Sequence, residues 1–213
     1  SGLIIPIGQW VLESACKQLK EWQKDERTRD LTLAVNVSAI QFSHPSFVND
    51  VLSSIQSYNI APHRLKLELT ESMLVNNIEE IIVIMKQLKD IGVQFSLDDF
   101  GTGYSSLQYL KKLPLDQLKI DQSFVRDLVK ETHDMSILRT IIAMAKGLEL
   151  DVIAEGVETV SQKNKLMSFG CHNFQGFLFS KPLPIEELNK KLGSQHSLLA
   201  KNPEKLEDPG IEL

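Results

Sequence analysis

The alternation of helix-like and strand-like patterns is the feature that most constrains the fold of this chain. Apolar residues spaced for one helix face are followed repeatedly by short apolar runs typical of strands. The predicted helices are Trp10–Gln23, Phe47–Tyr58, Ile78–Ile91, Ser105–Lys112, Ser136–Leu148, Thr159–Phe169 and Ile185–Leu192. The predicted strands are Leu31–Ser38, Arg64–Thr70, Val93–Asp98, Leu115–Ile120, Asp151–Glu155 and His172–Phe177. Such alternation predicts a parallel sheet, either doubly wound and open or closed into a barrel.

Polar side chains at the carboxyl ends of these strands favour the barrel. The residues concerned are Asn36, Glu68, Asp98 with Asp99, Lys119, Glu155 and Gln175. In an open sheet, functional residues gather at one switch point. In a barrel, the carboxyl ends of all strands meet at one mouth. We therefore predict an α/β fold, a (β/α)8 TIM-like barrel of which this chain carries six of the eight strands.

A single domain is expected, because 213 residues with 42% hydrophobic content suffice for one barrel core. We assign residues 1–192 to this domain and predict that the polar residues 193–213 form a flexible tail. The formal net charge of -5 argues against binding to nucleic acid polymers or directly to membranes. The absence of a long apolar run and of a signal peptide pattern predicts a cytoplasmic domain.

The two cysteines, Cys16 and Cys171, lie far apart and have no Cys-x-x-Cys spacing. This pattern argues against both a disulfide framework and a zinc site. We interpret them as two reduced thiols in the core.

Four carboxylates would meet at the mouth of such a barrel, those of Glu68, Asp98, Asp99 and Glu155. Like charges forced together and partly buried need compensation, which a divalent metal ion provides. Oxygen ligands that include the Asn36 amide, without thiol or imidazole, favour Mg²⁺ or Mn²⁺. The adjacent aspartates suit two ions, and paired ions activate water for in-line attack on a phosphodiester.

Lys119 has three interpretations at this stage. Beside two metal ions, it would orient the attacking hydroxide or offset the charge that grows on phosphorus. As a lone lysine at a strand end, it would form a structural ion pair. In an aldolase-like barrel, it would form a Schiff base with the substrate, but nearby carboxylates would keep its ammonium protonated.

Six motifs resemble the EAL phosphodiesterases in order and spacing, over about residues 1–192. They are Asn36-Val37-Ser38, Leu67-Glu68-Leu69-Thr70-Glu71-Ser72, Asp98-Asp99-Phe100-Gly101-Thr102-Gly103, Leu118-Lys119-Ile120-Asp121, Glu155-Gly156-Val157-Glu158-Thr159 and Gln175-Gly176-Phe177. The resemblance implies hydrolysis of the second messenger cyclic di-GMP to linear pGpG with two Mg²⁺ or Mn²⁺ ions.

The resemblance also implies a role for each motif residue. Asn36, Glu68 and Asp98 would hold one ion, and Asp98, Asp99 and Glu155 would hold the other. Lys119 would lie by the nucleophilic water, with Glu155 and Gln175 in the catalytic centre, and Asp121 and Gln175 would bind substrate. Glu71 would steady a mobile loop, whose residues are Phe100, Gly101, Thr102, Gly103 and Tyr104. In the family, this loop connects the active site to a homodimer contact near the barrel mouth.

One departure from the family concerns the beginning of the chain. Family members open with two further strands, the second of which carries the Glu-Ala-Leu signature, and this sequence begins after them. We expect weak or no turnover from the isolated chain, and an upstream sensory or diguanylate cyclase domain in the full-length protein, through which the domain can be tethered to the inner membrane. A catalytically inactive cyclic di-GMP receptor is the alternative function, and an aldolase-like barrel is a third.

Overall fold

The computed structural model describes residues 2–75, 77–101, 107–126, 128 and 132–192. The chain forms two compact units, Ser1–Leu118 and Lys119–Leu213. Residues 193–213, and the loop residues Thr102, Gly103 and Tyr104, lie outside the described part, so the predictions for them stay predictions. Among the described residues, every helix is too short or too polar to cross a lipid bilayer.

The first unit alternates helices and strands as the sequence predicts. In chain order its elements are α1 (Ile4–Trp22), β1 (Leu33–Asn36), α2 (Ala39–Phe42), α3 (Phe47–Tyr58), β2 (Leu65–Thr70), α4 (Ile78–Asp90), β3 (Gln94–Phe100), α5 (Leu107–Leu110) and the start of β4 (Gln117–Ile120). Leu65, Leu67 and Leu69 are fully buried on one face of β2, and α1 packs against this strand. Burying each of these leucines contributes about 1.5 to 3 kcal/mol to stability.

Strands β1, β2 and β3 pair in parallel, and their register fixes which residues are neighbours. Asn36 lies opposite Glu68, Glu68 lies opposite Ser96, and Thr70 lies opposite Asp98. Alternate residues of a strand point to the same face, so these polar residues share the face opposite Leu67. The carboxyl ends of three neighbouring strands therefore carry one continuous polar face.

The second unit continues the alternation from the end of β4. Its further elements are α6 (Gln122–Arg126), α7 (Thr132–Gly147), β5 (Asp151–Ala154), α8 (Val160–Phe169), β6 (Asn173–Phe174) and a final helix, α9, over residues 185–192. β5 and β6 pair in parallel. Helix α8 begins with a capping box, in which Thr159 and Gln162 exchange hydrogen bonds of 3.2 and 2.9 Å.

Within each unit the strands neighbour one another in chain order, with β4 common to both. A doubly wound sheet reverses its strand order at the switch point, and no such reversal occurs among the six strands of the described residues. The succession is that of a (β/α) barrel, as predicted.

Helix α1 begins at Ile4, so the predicted start at Trp10 is wrong. Pro6 lies in the first turn, where a backbone N–H has no intrahelical partner, and proline therefore costs little there. Gly8 lies against Gln41 of α2, since a Cβ atom at Gly8 would come within 2.3 Å of the Gln41 side chain. The sequence pattern of a helix is weak at this end because Gly8 packs against Gln41 without an apolar side chain of its own.

Two further differences concern short elements. The pattern does not predict helices α2 and α6, which span four and five residues and are too short to show a period. Strand β6 is shorter than predicted and ends at Phe174. The next residue stays bonded to the neighbouring segment, since the Gln175 carbonyl accepts a hydrogen bond from the Val157 N–H (3.0 Å) in the loop after β5.

The two cysteines are free and buried, which confirms the prediction of core thiols. Burial raises the pKa of Cys16 to about 12 and that of Cys171 to about 11. Both side chains therefore stay protonated and unreactive at neutral pH.

Candidate active site

The first unit brings three predicted metal ligands to the ends of neighbouring strands. Asn36 is the last residue of β1 and is exposed, whereas Glu68 beside it on β2 is only 8% exposed. The backbone ladder continues past them, since the Val37 N–H donates to the Glu68 carbonyl at 3.0 Å. Asp98 follows on β3, opposite Thr70. The register therefore places the side chains of Asn36, Glu68 and Asp98 on one face of the sheet in this unit.

A local backbone turn brings Asp98 and Asp99 together. Adjacent residues of a regular strand point to opposite faces, but Asp99 has a φ of 56°, in the left-handed region. One carboxylate oxygen of Asp98 consequently lies within 4.8 Å of one of Asp99. The Asp99 N–H also donates to Asp98 Oδ1 at 3.1 Å, which orients the first carboxylate. Asparagine and aspartate tolerate this backbone region best among residues other than glycine.

Glu71 is bonded to the start of the predicted mobile loop. Its side chain is 4% exposed, and its Oε2 atom accepts a hydrogen bond of 2.9 Å from the Gly101 N–H. Gly101 has a φ of 100°, which other residues rarely adopt. Phe100 before it is buried. This bond ties the Glu71 carboxylate to the backbone at Gly101.

In the second unit, Lys119 of β4 forms an ion pair with Glu155. The distance from Lys119 Nζ to Glu155 Oε1 is 2.9 Å, and the two side chains are 5% and 17% exposed. Glu155 follows β5 directly, and its N–H donates to the Ile120 carbonyl at 3.1 Å. A charged Lys119 beside a carboxylate disfavours the Schiff-base interpretation, which needs a neutral amine.

Gln175 and Asp121, the predicted substrate-binding residues, occupy strand ends in the second unit. Gln175 follows β6, its N–H donates to the Ala154 carbonyl at 2.9 Å, and its side chain is exposed. Asp121 follows β4, and its Oδ1 atom accepts a hydrogen bond from the Ser123 N–H at 2.9 Å. This bond gives Asp121 a structural role at the start of α6, which the sequence reasoning did not foresee.

A family model described as the EAL domain matches residues 1–182. The chain belongs to the EAL domain family. The bifunctional diguanylate cyclase/cyclic di-GMP phosphodiesterase MucR of Pseudomonas aeruginosa is 44% identical over 188 residues, which are 88% of this chain and 27% of that protein. This EAL domain spans about a quarter of the length of the curated relatives it matches.

Two solved structures show what such a domain binds in relatives. The MucR phosphodiesterase in complex with cyclic di-GMP has a TM-score of 0.85 at 44% identity, covering 88% of this chain and 75% of that one. The Klebsiella pneumoniae BlrP1 complex with manganese and cyclic di-GMP has a TM-score of 0.71 at 29% identity, covering 82% and 45%. These likenesses agree with the barrel-type fold of this EAL domain.

The donor set of the first unit fits a divalent cation. Glu68, Asp98 and Asp99 supply carboxylate oxygens and Asn36 supplies an amide oxygen at the ends of adjacent strands. Hard cations such as Mg²⁺ and Mn²⁺ prefer these ligands. The carboxylate of Glu68 is buried, and a bound cation would offset part of the cost of burying it.

We expect Glu71→Gln to reduce turnover by about tenfold, because an acceptor without charge makes a hydrogen bond to Gly101 that is roughly half as strong. Metal affinity should stay close to that of the unchanged chain, since Glu71 is not in the predicted ligand set. Steady-state hydrolysis together with Mn²⁺ titration checks both parts. Loss of metal binding in this variant would show instead that Glu71 is a ligand.

Proposed function

We propose that this EAL domain hydrolyses cyclic di-GMP to linear pGpG by metal-assisted attack of water on one phosphodiester bond. The observation that carries the proposal is the Asp98 and Asp99 pair, turned together by the backbone of Asp99 at the end of β3. The relative MucR is a cyclic di-GMP phosphodiesterase whose structure has been solved in complex with cyclic di-GMP, and this supports cyclic di-GMP as the substrate.

The proposed ligand sets follow the strand ends. Asn36, Glu68 and Asp98 hold one ion, and Asp98, Asp99 and Glu155 hold the second. The ions are Mg²⁺ or Mn²⁺, and when bound they lower the pKa of a water molecule and polarise the phosphoryl group. Asp98 would belong to both sets.

Lys119 acts on the phosphoryl group in this proposal. Glu155 holds its ammonium by the 2.9 Å ion pair. A buried cation positioned in advance offsets the negative charge that grows on the phosphoryl oxygens as water attacks. Gln175, whose side chain is exposed at the end of β6, and Asp121 would contact the nucleotide.

We also propose that the domain works inside a larger, dimeric protein. MucR combines a cyclase and a phosphodiesterase in one chain that is several times longer than the matched region. An upstream sensory or cyclase domain is proposed here on that basis. The contact of Glu71 with Gly101 gives the loop a fixed base from which a dimer contact could act on Asp98 and Asp99.

The test is chromatography of cyclic di-GMP after incubation with the chain, and with a version extended upstream, in Mn²⁺, Mg²⁺ or excess chelator. We expect linear pGpG from the extended version with either ion, weak or no production of pGpG by the chain alone, and none from either with chelator. Binding of cyclic di-GMP without turnover in both versions would contradict the proposal and indicate a receptor. Turnover that persists in chelator would contradict the role of the metals.

A further inference from the structure

Lys66 of β2 is a buried cation that the proposed mechanism does not use. The residue is 8% exposed, and both of its neighbours in the strand are fully buried. Its Nζ atom donates to Gln117 Oε1 at 3.0 Å. Among the described residues this neutral amide oxygen is its one hydrogen-bond acceptor, although an ammonium has three protons to donate.

The register of the sheet places Lys66 on the same face as the proposed metal ligands, nearer the amino end of the strand. Lys66 and Glu68 are two residues apart in β2 and so point to the same face. Ser96 lies opposite Glu68, and its hydroxyl donates to the same Gln117 oxygen at 3.4 Å. The Lys66 ammonium therefore lies beside the opposed residues Glu68 and Ser96. The next opposed pair on this face, toward the carboxyl ends of the strands, is Thr70 and Asp98.

A hydrogen bond to a neutral amide compensates only part of the cost of burying an ammonium. The same face of the sheet carries the carboxylates of Glu68 and Asp98, whose charge is opposite to that of Lys66. An ion that binds those carboxylates is repelled by Lys66, whereas the protein without metal is stabilised by it.

We propose that Lys66 is the resident counter-cation of the carboxylate face and that it weakens the binding of divalent metal, so that the ions exchange reversibly. This inference rests on the proposed function, because it presupposes that Glu68 and Asp98 bind metal. Successive rows of a strand face are about 7 Å apart. A unit charge at about this distance changes the affinity for a divalent ion at least tenfold, even at an effective dielectric constant of about 20.

The test is calorimetric titration of the 213-residue chain with Mn²⁺ after removal of bound metal. Lys66→Met removes the charge and keeps the apolar stem, and Lys66→Gln removes the charge but keeps a polar end. We expect both variants to bind Mn²⁺ at least about tenfold more tightly than the unchanged chain. Lys66→Arg keeps the charge and should bind Mn²⁺ as the unchanged chain does.

The matched control is Lys89→Met. Lys89 is a part-buried lysine of the same unit, and its ammonium pairs with Asp116 at 2.5 Å. This variant should lose stability and keep the Mn²⁺ affinity of the unchanged chain. Circular dichroism of every variant confirms that the fold is retained before the affinities are compared.

The outcomes separate the inference from the function on which it rests. Equal or weaker Mn²⁺ binding in Lys66→Met and Lys66→Gln would overturn the inference and leave Lys66 as a structural donor to Gln117. Tightening in Lys66→Met alone would also overturn it, because charge is then not the cause. If the unchanged chain binds no Mn²⁺, the metal site of the proposed function fails, and the inference fails with it.

Discussion

Replacement of Asp98 by alanine is expected to abolish metal-dependent hydrolysis of cyclic di-GMP, lowering kcat by about 10³-fold or more. This loss corresponds to about 4 kcal/mol of transition-state stabilisation. Asp98 is the residue that the two proposed ion sets share, and its Oδ1 atom is oriented by the Asp99 N–H at 3.1 Å. Removing its carboxylate therefore impairs both ions together.

Chromatographic rates of the version extended upstream, with and without the substitution and over a range of Mn²⁺ concentrations, measure the effect. Saturating Mn²⁺ should not restore the rate, because a bridging ligand fixes geometry as well as affinity. Asp90→Ala is the control, since Asp90 is an exposed carboxylate at the end of α4 in the same unit. Undiminished hydrolysis by Asp98→Ala would contradict the two-metal mechanism, and an equal loss in Asp90→Ala would point to a general effect on the fold.

Periodicity predicted the longer elements of the fold well. Helix α3 has the predicted bounds Phe47–Tyr58, and β2 starts one residue after its predicted start. These segments bury an apolar face, so the apolar residues that set the sequence pattern are the ones that pack into the core. The first turns of α1 were not predicted because Gly8, which has no side chain to enter the pattern, lies there against the side chain of Gln41.

Strand position predicted where the polar residues of the site lie, because the last residues of parallel strands share an edge. It did not predict the direction of each side chain. The φ of 56° at Asp99, which brings neighbouring carboxylates to one place, has no signature in the hydrophobic pattern. The Asp-Asp pair itself was the available signal, since aspartate tolerates that backbone region.

The burial of Lys66 was also not predicted, because the alternating pattern of β2 does not distinguish a buried polar face from an exposed one. Leucines alternate with Lys66, Glu68 and Thr70 along β2, a pattern equally typical of a strand with one face in solvent. In this strand both faces are buried apart from Thr70 at its end. The sequence pattern of a strand whose polar face is buried therefore does not differ from that of a strand whose polar face is exposed to solvent.

Lys119→Met is expected to lower the free energy of unfolding of the metal-free protein by about 3 to 5 kcal/mol. The substitution removes the 2.9 Å partner of Glu155, whose side chain is only 17% exposed, and so leaves a largely buried carboxylate without this cation. Hydrolysis should fall by about 10²-fold or more, because the charge that Lys119 offers to the phosphoryl group is lost as well. Urea unfolding in excess chelator and chromatographic assays measure the two effects.

The double variant Lys119→Met with Glu155→Gln separates stability from catalysis. Removing both charges of this ion pair leaves neither member facing an uncharged partner, so most of the lost stability should return. Hydrolysis should stay low, since the variant lacks both the cation and a proposed metal ligand. If Lys119→Met unfolds more easily but hydrolyses cyclic di-GMP at the original rate, the ion pair is structural only, and the catalytic role of Lys119 is wrong.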